Sequence, residues 1–251
     1  MPTPYTPKPY TIVITSCGRF DLLGQTLASL FAHLDRPPAK TILIEDSTDQ
    51  AVKAVAQQVS HPIDVIVNDQ QLGQIASIDK AYALVETPLI FHCEDDWAFH
   101  RSGFIAESEV ILDAHPNVAM VGLRARDQLN KKIQHMPQRQ LDGLAYFLHD
   151  PSLHPEYFSY SFNPGLRRLA DYHRIGPFAP IGGEADISYA FKKAGFQNAN
   201  LEEPAVRHIG DERHVHDPQQ PRRAKGGLAR IRRSIQKRIK RLSRAFEERC
   251  R

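Results

Sequence analysis

Apolar and polar positions follow two rhythms along the first half of the chain. Thr11–Ser16, Thr41–Asp46, Ile63–Val67, Leu89–Cys93 and Val118–Leu123 are β-branched or apolar runs of strand length. Between them, Asp21–His33, Asp49–Val59, Gly73–Val85 and Ser102–Ala114 place apolar residues at helical spacing. Near-continuous apolar strands are buried on both faces, and strand–helix–strand repetition covers those faces with helices. The predicted class is α/β, with a mostly parallel central sheet flanked by helices. No repeat of solenoid period is present.

Beyond about Asp127 the pattern loosens. Tyr157–Phe162 reads as a strand, and Pro164 as the opening of a short helix through Tyr172. A helix is predicted from about Gly183 to Ala194, ended by Gly195. His208–Pro221 has no period and many turn formers, so it reads as a loop. From Gly226 onward, Leu228, Ile231, Ile235, Ile239, Leu242 and Phe246 recur at steps of three or four on an otherwise cationic helix. The expected organisation is a unit over 1–221, with halves near 8–125 and 126–221, and a basic helical tail over 222–251.

Charge sharpens that division. The net charge of +3 is the sum of unlike parts. Residues 222–251 hold 13 Lys and Arg against two acids, a balance of +11. Residues 1–221 hold 19 basic and 27 acidic side chains, a balance of −8. The three cysteines, Cys17, Cys93 and Cys250, are too few and too scattered for a disulfide framework or a zinc site. No run of about eighteen apolar residues occurs, and the N-terminal stretch lacks an apolar signal core. The expected setting is cytoplasmic.

Parallel α/β sheets bind ligands beyond the carboxyl ends of their strands. There the chain places Ser16-Cys17-Gly18-Arg19, then Glu45-Asp46-Ser47-Thr48-Asp49, then Glu94-Asp95-Asp96-Trp97. Three adjacent carboxylates after a buried strand repel one another and call for a counter-charge. Mg²⁺ or Mn²⁺ held there could bridge two phosphates of a nucleotide. The same acids could instead cap the following helix. Ser47, Thr48 or Asp49 could likewise cap a helix, whereas Asp46 could accept hydrogen bonds from a base or ribose. The stretch Asn68–Gly73, with Asp69, brings a flexible glycine to a helix N-terminus, useful near phosphates and equally useful for closing a loop.

The order and spacing of these elements over residues 11–97 resemble family 2 glycosyltransferases with the GT-A (nucleotide-diphospho-sugar transferase) fold. The resemblance rests on Leu22–Leu30 after the first polar turn, Glu45–Asp49, Gln71–Ala81 and Phe91–Asp96. It implies a nucleotide-sugar donor touched by Ser16, Arg19, Asp46, Asp69, Gly73, Glu94 and Asp95. It implies Mn²⁺ or Mg²⁺ on Asp96, with Glu94 standing where the family pattern expects a first aspartate. Gly182–Ser188 is similar to the family's acidic element at the head of the acceptor-side helix, which makes Glu184 the expected base and Asp186 its competitor. A base there would take the proton of an acceptor hydroxyl in a single inverting displacement. His208 is the expected histidine of the metal or pyrophosphate site, with His214 and His216 close behind and Arg213 available to phosphate. Trp97 and Tyr160 could stack on a sugar or base, or simply be core.

The tail has three readings. It could lie on an anionic bilayer, bind nucleic acid, or dock on the acidic body. The apolar stripe favours the bilayer, and no nucleic-acid partner is expected. The reading is therefore an inverting hexosyltransferase-type enzyme, peripheral on the inner membrane face, acting on a glycan or lipid-linked acceptor in cell-surface polysaccharide synthesis. A nucleotidyltransferase would need a Gly-rich basic loop after the first strand, and Ser16–Arg19 is too thin for one. A non-catalytic module led by the tail would show salt-dependent binding without transfer.

Overall fold

The structure is a computed structural model describing residues 6–154, 159–210, 213, 215, 216, 218 and 227–249. The first half runs β1 (Tyr10–Ser16), α1 (Phe20–Ala32), β2 (Lys40–Glu45), α2 (Val52–Ala56), β3 (Asp64–Val67) and α3 (Gln74–Tyr82). It continues through β4 (Leu89–Glu94), β5 (Trp97–Phe99), α4 (Phe104–Ala114) and β6 (Val118–Gly122). The second half adds α5 (Lys131–Gln134), β7 (Gln138–Leu141), β8 (Leu144–His149), β9 (Gly165–Arg168) and α6 (Leu169–Ile175). It closes with α7 (Glu184–Lys193), β10 (Gln197–Leu201), β11 (Val206–His208) and α8 (Gly227–Arg249).

Among the described residues, nine strands form one sheet in the order β3-β2-β1-β4-β9-β6-β10-β8-β7, and β11 pairs with β5 apart from it. Seven of the nine run one way; β9 and β8 are reversed. The period-2 geometry of β1 sends Ile12 and Ile14 to one face and Val13 to the other. Ile12 and Ile14 join Leu23, Leu27 and Leu30 of α1 and Ile111 and Leu112 of α4. Val13 joins Ile75 and Ile78 of α3 and Ile187 and Phe191 of α7. The strands are apolar on both sides because helices cover both sides.

The five strands predicted for the first half form within one or two residues of their expected places. The helix predicted over Asp49–Val59 shrinks to α2, because Asp49 turns the chain first, accepting from the Ala51 N–H at 2.9 Å. The second half departs further. Of the strand predicted over Tyr157–Phe162, residues 159–162 are irregular, and Tyr157 and Phe158 lie outside the described residues. Side chains of α7 take the backbone donors a ladder would need: Ser159 and Tyr160 N–H donate to Ser188 Oγ, and Phe162 N–H to Glu184 Oε1. The helix predicted from Pro164 is replaced by β9, with α6 only after it. Gly165 allows the close approach: a Cβ there would stand 2.6 Å from the Val121 carbonyl oxygen. The β7–β8 hairpin and β10 were not predicted. The hairpin turns at Asp142-Gly143, both at positive φ, a two-residue turn that suits this pair.

Candidate active site

Strand register alone gathers the first residues of the site. Ser16 lies opposite Glu45, and Thr15 opposite Glu94, so the carboxyl ends of β1, β2 and β4 share one edge. Glu45 Oε1 accepts from the Gly18 and Ser47 N–H groups at 2.9 and 2.8 Å, tying the first two strand-end loops together. Asp46 organises the third. Its Oδ1 accepts from Asn68 Nδ2, Leu72 N–H and Ser77 Oγ, and its Oδ2 from the Gly73 N–H at 2.9 Å. Gly73 makes that contact at φ 90°, where a side chain would be strained. Asp69 lies exposed in the same loop.

The acidic triplet is divided among different partners. Arg19 clamps two of its members: Nη2 and Nε donate to Asp95, and Nη1 donates to Asp96 Oδ2 at 2.6 Å. Ser16 Oγ adds a bond to Asp95 Oδ2 at 3.3 Å. Burial nonetheless pushes the Asp95 carboxyl up to about 6, against the pull of Arg19. Part of the counter-charge required by the triplet thus comes from the chain itself. Glu94 turns elsewhere, accepting from Gln74 Nε2 at 2.6 Å and Trp97 Nε1 at 3.3 Å. Burial, then the charges of Asp96 and Glu184, raise its pKa to about 7.

The β5–β11 ribbon delivers the histidine. His208 pairs with Trp97, the residue after Asp96, and its Nε2 lies 3.2 Å from Asp96 Oδ2. Ile209 N–H donates to the Asp96 carbonyl, and Gly210 packs so closely that a Cβ would stand 2.5–2.9 Å from Asp96 side-chain atoms. His216 is exposed, its carbonyl accepting from Gln71, and His214 lies outside the described residues. Arg213 forms a two-bond pair with Asp21 at 2.5 and 2.8 Å, so its guanidinium has a protein partner here. Trp97 and Tyr160 are both 2% exposed; each is core.

Glu184 and Asp186 share the first turn of α7 but face different surroundings. Glu184 lines a cavity of about 440 Å³ together with Glu94, Gln74, Arg124, Asn163 and Asn200. Glu184 is exposed to that cavity as a residue, yet the protein packed around its carboxyl desolvates it and raises its pKa, against the Phe162 N–H that favours the anion. Asp186 points to α8, paired with Lys240 Nζ at 2.5 Å and with Arg244. Partial burial would raise its pKa, but those two cations hold it below the usual carboxylate range. Arg124 was not singled out from sequence, although a charged residue just beyond a buried strand is a usable signal. Its Nη2 donates to the Gln128 carbonyl at 2.7 Å, and it carries positive charge opposite both Glu94 and Glu184.

A divalent cation fits the Asp96–His208 corner. Asp96 Oδ1 is buried without a hydrogen-bond partner, a state that a positive ion would relieve. A hard carboxylate oxygen beside an imidazole suits Mn²⁺ or Mg²⁺. Among the described residues no group of three His, Cys, Asp or Glu side chains forms a ligand cage. Two protein donors leave positions for phosphate and water, the usual arrangement of such ions on phosphate substrates.

The sequence profile described as "Glycosyl transferase family 2" matches residues 11–179, well over half of the chain. The chain belongs to glycosyl transferase family 2. The matched span covers the strand-end loops and the acidic triplet, while Glu184, Asp186 and His208 lie beyond it. Among solved structures, the mannosyltransferase PcManGT from Pyrobaculum calidifontis, in complex with GDP-Man and Mn²⁺, is similar with a TM-score of 0.62 at 13% identity. That match covers 85% of this chain and 60% of the other. GalNAc-T7 with UDP, GalNAc and Mn²⁺ is similar at 0.59 and 13%, over 80% of this chain and 44% of that one. This chain therefore spans less than two thirds of either relative's length. Likeness at this identity shows the fold, which is the GT-A glycosyltransferase architecture. No curated protein matches the chain.

Proposed function

We propose that this family 2 member is a metal-dependent, inverting glycosyltransferase of hexosyltransferase type that uses a nucleotide-sugar donor. The observation that carries the reading is one cavity lined by both Glu184 and Glu94, next to the Arg19-clamped Asp95–Asp96 pair. Glu184 takes the proton from an acceptor hydroxyl as that oxygen attacks the anomeric carbon. The bond to the nucleoside diphosphate breaks on the opposite side, which inverts the configuration. A carboxyl desolvated at the cavity wall, its pKa raised, with the charge of Arg124 opposite, is suited to accept that proton. Asp186, engaged by two cations on α8, is the weaker base. Asp96 and His208 would hold the Mn²⁺ or Mg²⁺, with Glu94 in support. That ion would neutralise charge on the departing diphosphate. Ser16, Arg19, Asp46, Asp69, Gly73 and Asp95 form the donor side, the buried ones mainly by fixing its loops.

The donor is read by incubating the full chain with a panel of nucleotide sugars and following metal-dependent release of the nucleotide. Asp96→Ala is expected to abolish transfer with the fold intact. Transfer at the normal rate with the metal chelated would overturn the mechanism. The acceptor is read as a glycan or lipid-linked precursor of a cell-surface polysaccharide, met at the cytoplasmic face of a membrane. Support for the membrane comes from α8, where Ile235, Ile239, Leu242 and Phe246 are 51–70% exposed in one row while Lys240, Arg244 and Glu247 engage α7.

A further inference from the structure

Residues 159–163 are an irregular stretch of the cavity wall, and Tyr160, Ser161 and Asn163 line the cavity beside Glu184. Such a stretch has no ladder, so its backbone groups must find other partners. Its amides turn to α7, where Ser188 Oγ accepts from Ser159 and Tyr160, and Glu184 Oε1 accepts from Phe162 at 3.0 Å. Its carbonyls turn to Arg167 of β9. Nη1 donates to the Ser161 oxygen at 3.4 Å and Nη2 to the Asn163 oxygen at 3.3 Å. Nη1 also donates to Tyr160 Oη at 3.2 Å. One peptide group, between Ser161 and Phe162, therefore joins the two side chains: its oxygen accepts from Arg167 and its N–H donates to Glu184.

Arg167 stands in the middle of the sheet, opposite Ile90 of β4 and Met120 of β6, and is 2% exposed. Burying a guanidinium is costly, and an apolar side chain of similar volume fills such a place at least as well. Burial keeps nearby His92 neutral and the Tyr82 and Tyr160 hydroxyls protonated, so none of the three offers a counter-charge. Packing alone gives no reason for an arginine here, whereas the two carbonyls it holds do. We propose that Arg167 is a positioning residue for transfer, which sets the place of the Glu184 carboxyl through the Ser161–Phe162 peptide. The proposal rests on the reading of Glu184 as the base. A peptide whose oxygen is held by a cation is polarised, which strengthens the bond its N–H donates. Burial raises the Glu184 pKa, and the Phe162 N–H, then the charges of Arg167 and Arg124, oppose that rise.

The test is a double-mutant cycle in the full chain: wild type, Arg167→Met, Glu184→Gln and both together. Turnover is followed as nucleotide release from whichever nucleotide sugar of the panel the wild type uses fastest. Arg167→Met is expected to lower kcat about a hundredfold, the cost of misplacing a reacting group by an ångström, with donor KM unchanged. Arg167→Lys keeps the charge but loses the fork, and should recover about tenfold of that loss. On the Glu184→Gln background, Arg167→Met should cost less than about threefold, because no base is left to place. A full hundredfold loss on that background would show a structural role only and overturn the proposal. So would unchanged kcat in Arg167→Met, or a loss that appears in donor KM instead. If Arg167→Met does not fold, the same cycle with Arg167→Lys decides, its roughly tenfold loss vanishing on Glu184→Gln or persisting there. Normal turnover by Glu184→Gln would overturn the base and this proposal together, whereas an impaired Glu184→Gln beside an indifferent Arg167→Met would overturn this proposal alone.

Discussion

Asp96 meets Arg19, His208 and Gly210 within one small volume, and the last of these leaves no room for a side chain. Gly210→Ala would force the Asp96 carboxyl to move, because a Cβ at 2.5 Å from its Oδ2 is not tolerated. Misplacement of an ångström near reacting groups costs about a hundredfold in rate. Transfer is expected to fall at least tenfold while the melting temperature shifts by only a few degrees; normal activity would detach Gly210 from the site. At Glu184 burial favours the protonated form, and a base must be deprotonated to act. Turnover should therefore fall as pH drops through a pKa above the ordinary glutamate value of about 4.3. Glu184→Gln should lower kcat by about 10² to 10⁴-fold, remove that acid limb, and leave donor affinity unchanged. A kcat–pH profile on both proteins checks all three points, and unchanged turnover would move the base to Asp186.

Between elements, α7 and α8 are joined by pairs that leave the apolar row of α8 outward. Lys240 and Arg244 meet Asp186, Arg244 lies 4.3 Å over the Tyr189 ring, and Tyr189 OH donates to Glu247 at 2.9 Å. Asp186→Asn should loosen this docking and lower amide-exchange protection in the last turns of α8 about fivefold, equivalent to roughly 1 kcal/mol. Unchanged protection would show that the ring and Glu247 contacts suffice. The elements legible in sequence were those whose strands are apolar throughout and whose helices carry one clear stripe, as in β1, α1, β2, β3, α3, β4 and α4. β10 escaped because its alternate positions are Asn198 and Asn200, polar residues buried in the sheet. β9 escaped because its second half is Arg167-Arg168, and Arg167 is buried with its guanidinium against Tyr160 OH and the Ser161 and Asn163 carbonyls. The strand-end acids stood out by position and charge, whereas His208 and the α7 acids were singled out only by the family resemblance. Pairings such as Arg19 with Asp95 and Asp96, or Arg124 facing Glu184, join residues far apart in sequence, and local pattern carries no trace of them.

Across the whole molecule, the acidic body and the basic tail are partly reconciled by contact, since α8 spends Lys240 and Arg244 on α7. No described helix is long and apolar enough to cross a membrane. The proposed contact with an anionic surface rests on the exposed apolar row of α8. The full chain should sediment with vesicles of anionic phospholipid and be released by salt. Deleting 226–251, or changing Leu242 and Phe246 to Ser, should abolish sedimentation, and persistent binding would place the contact elsewhere. One further consequence follows from β9, the reversed strand between β4 and β6. Every residue of β1 to β6 precedes it in the chain, yet β4 and β6 are joined to each other only through it. During synthesis the edge of β4 that faces away from β1 therefore has no strand to pair with until residues 165–168 have been made.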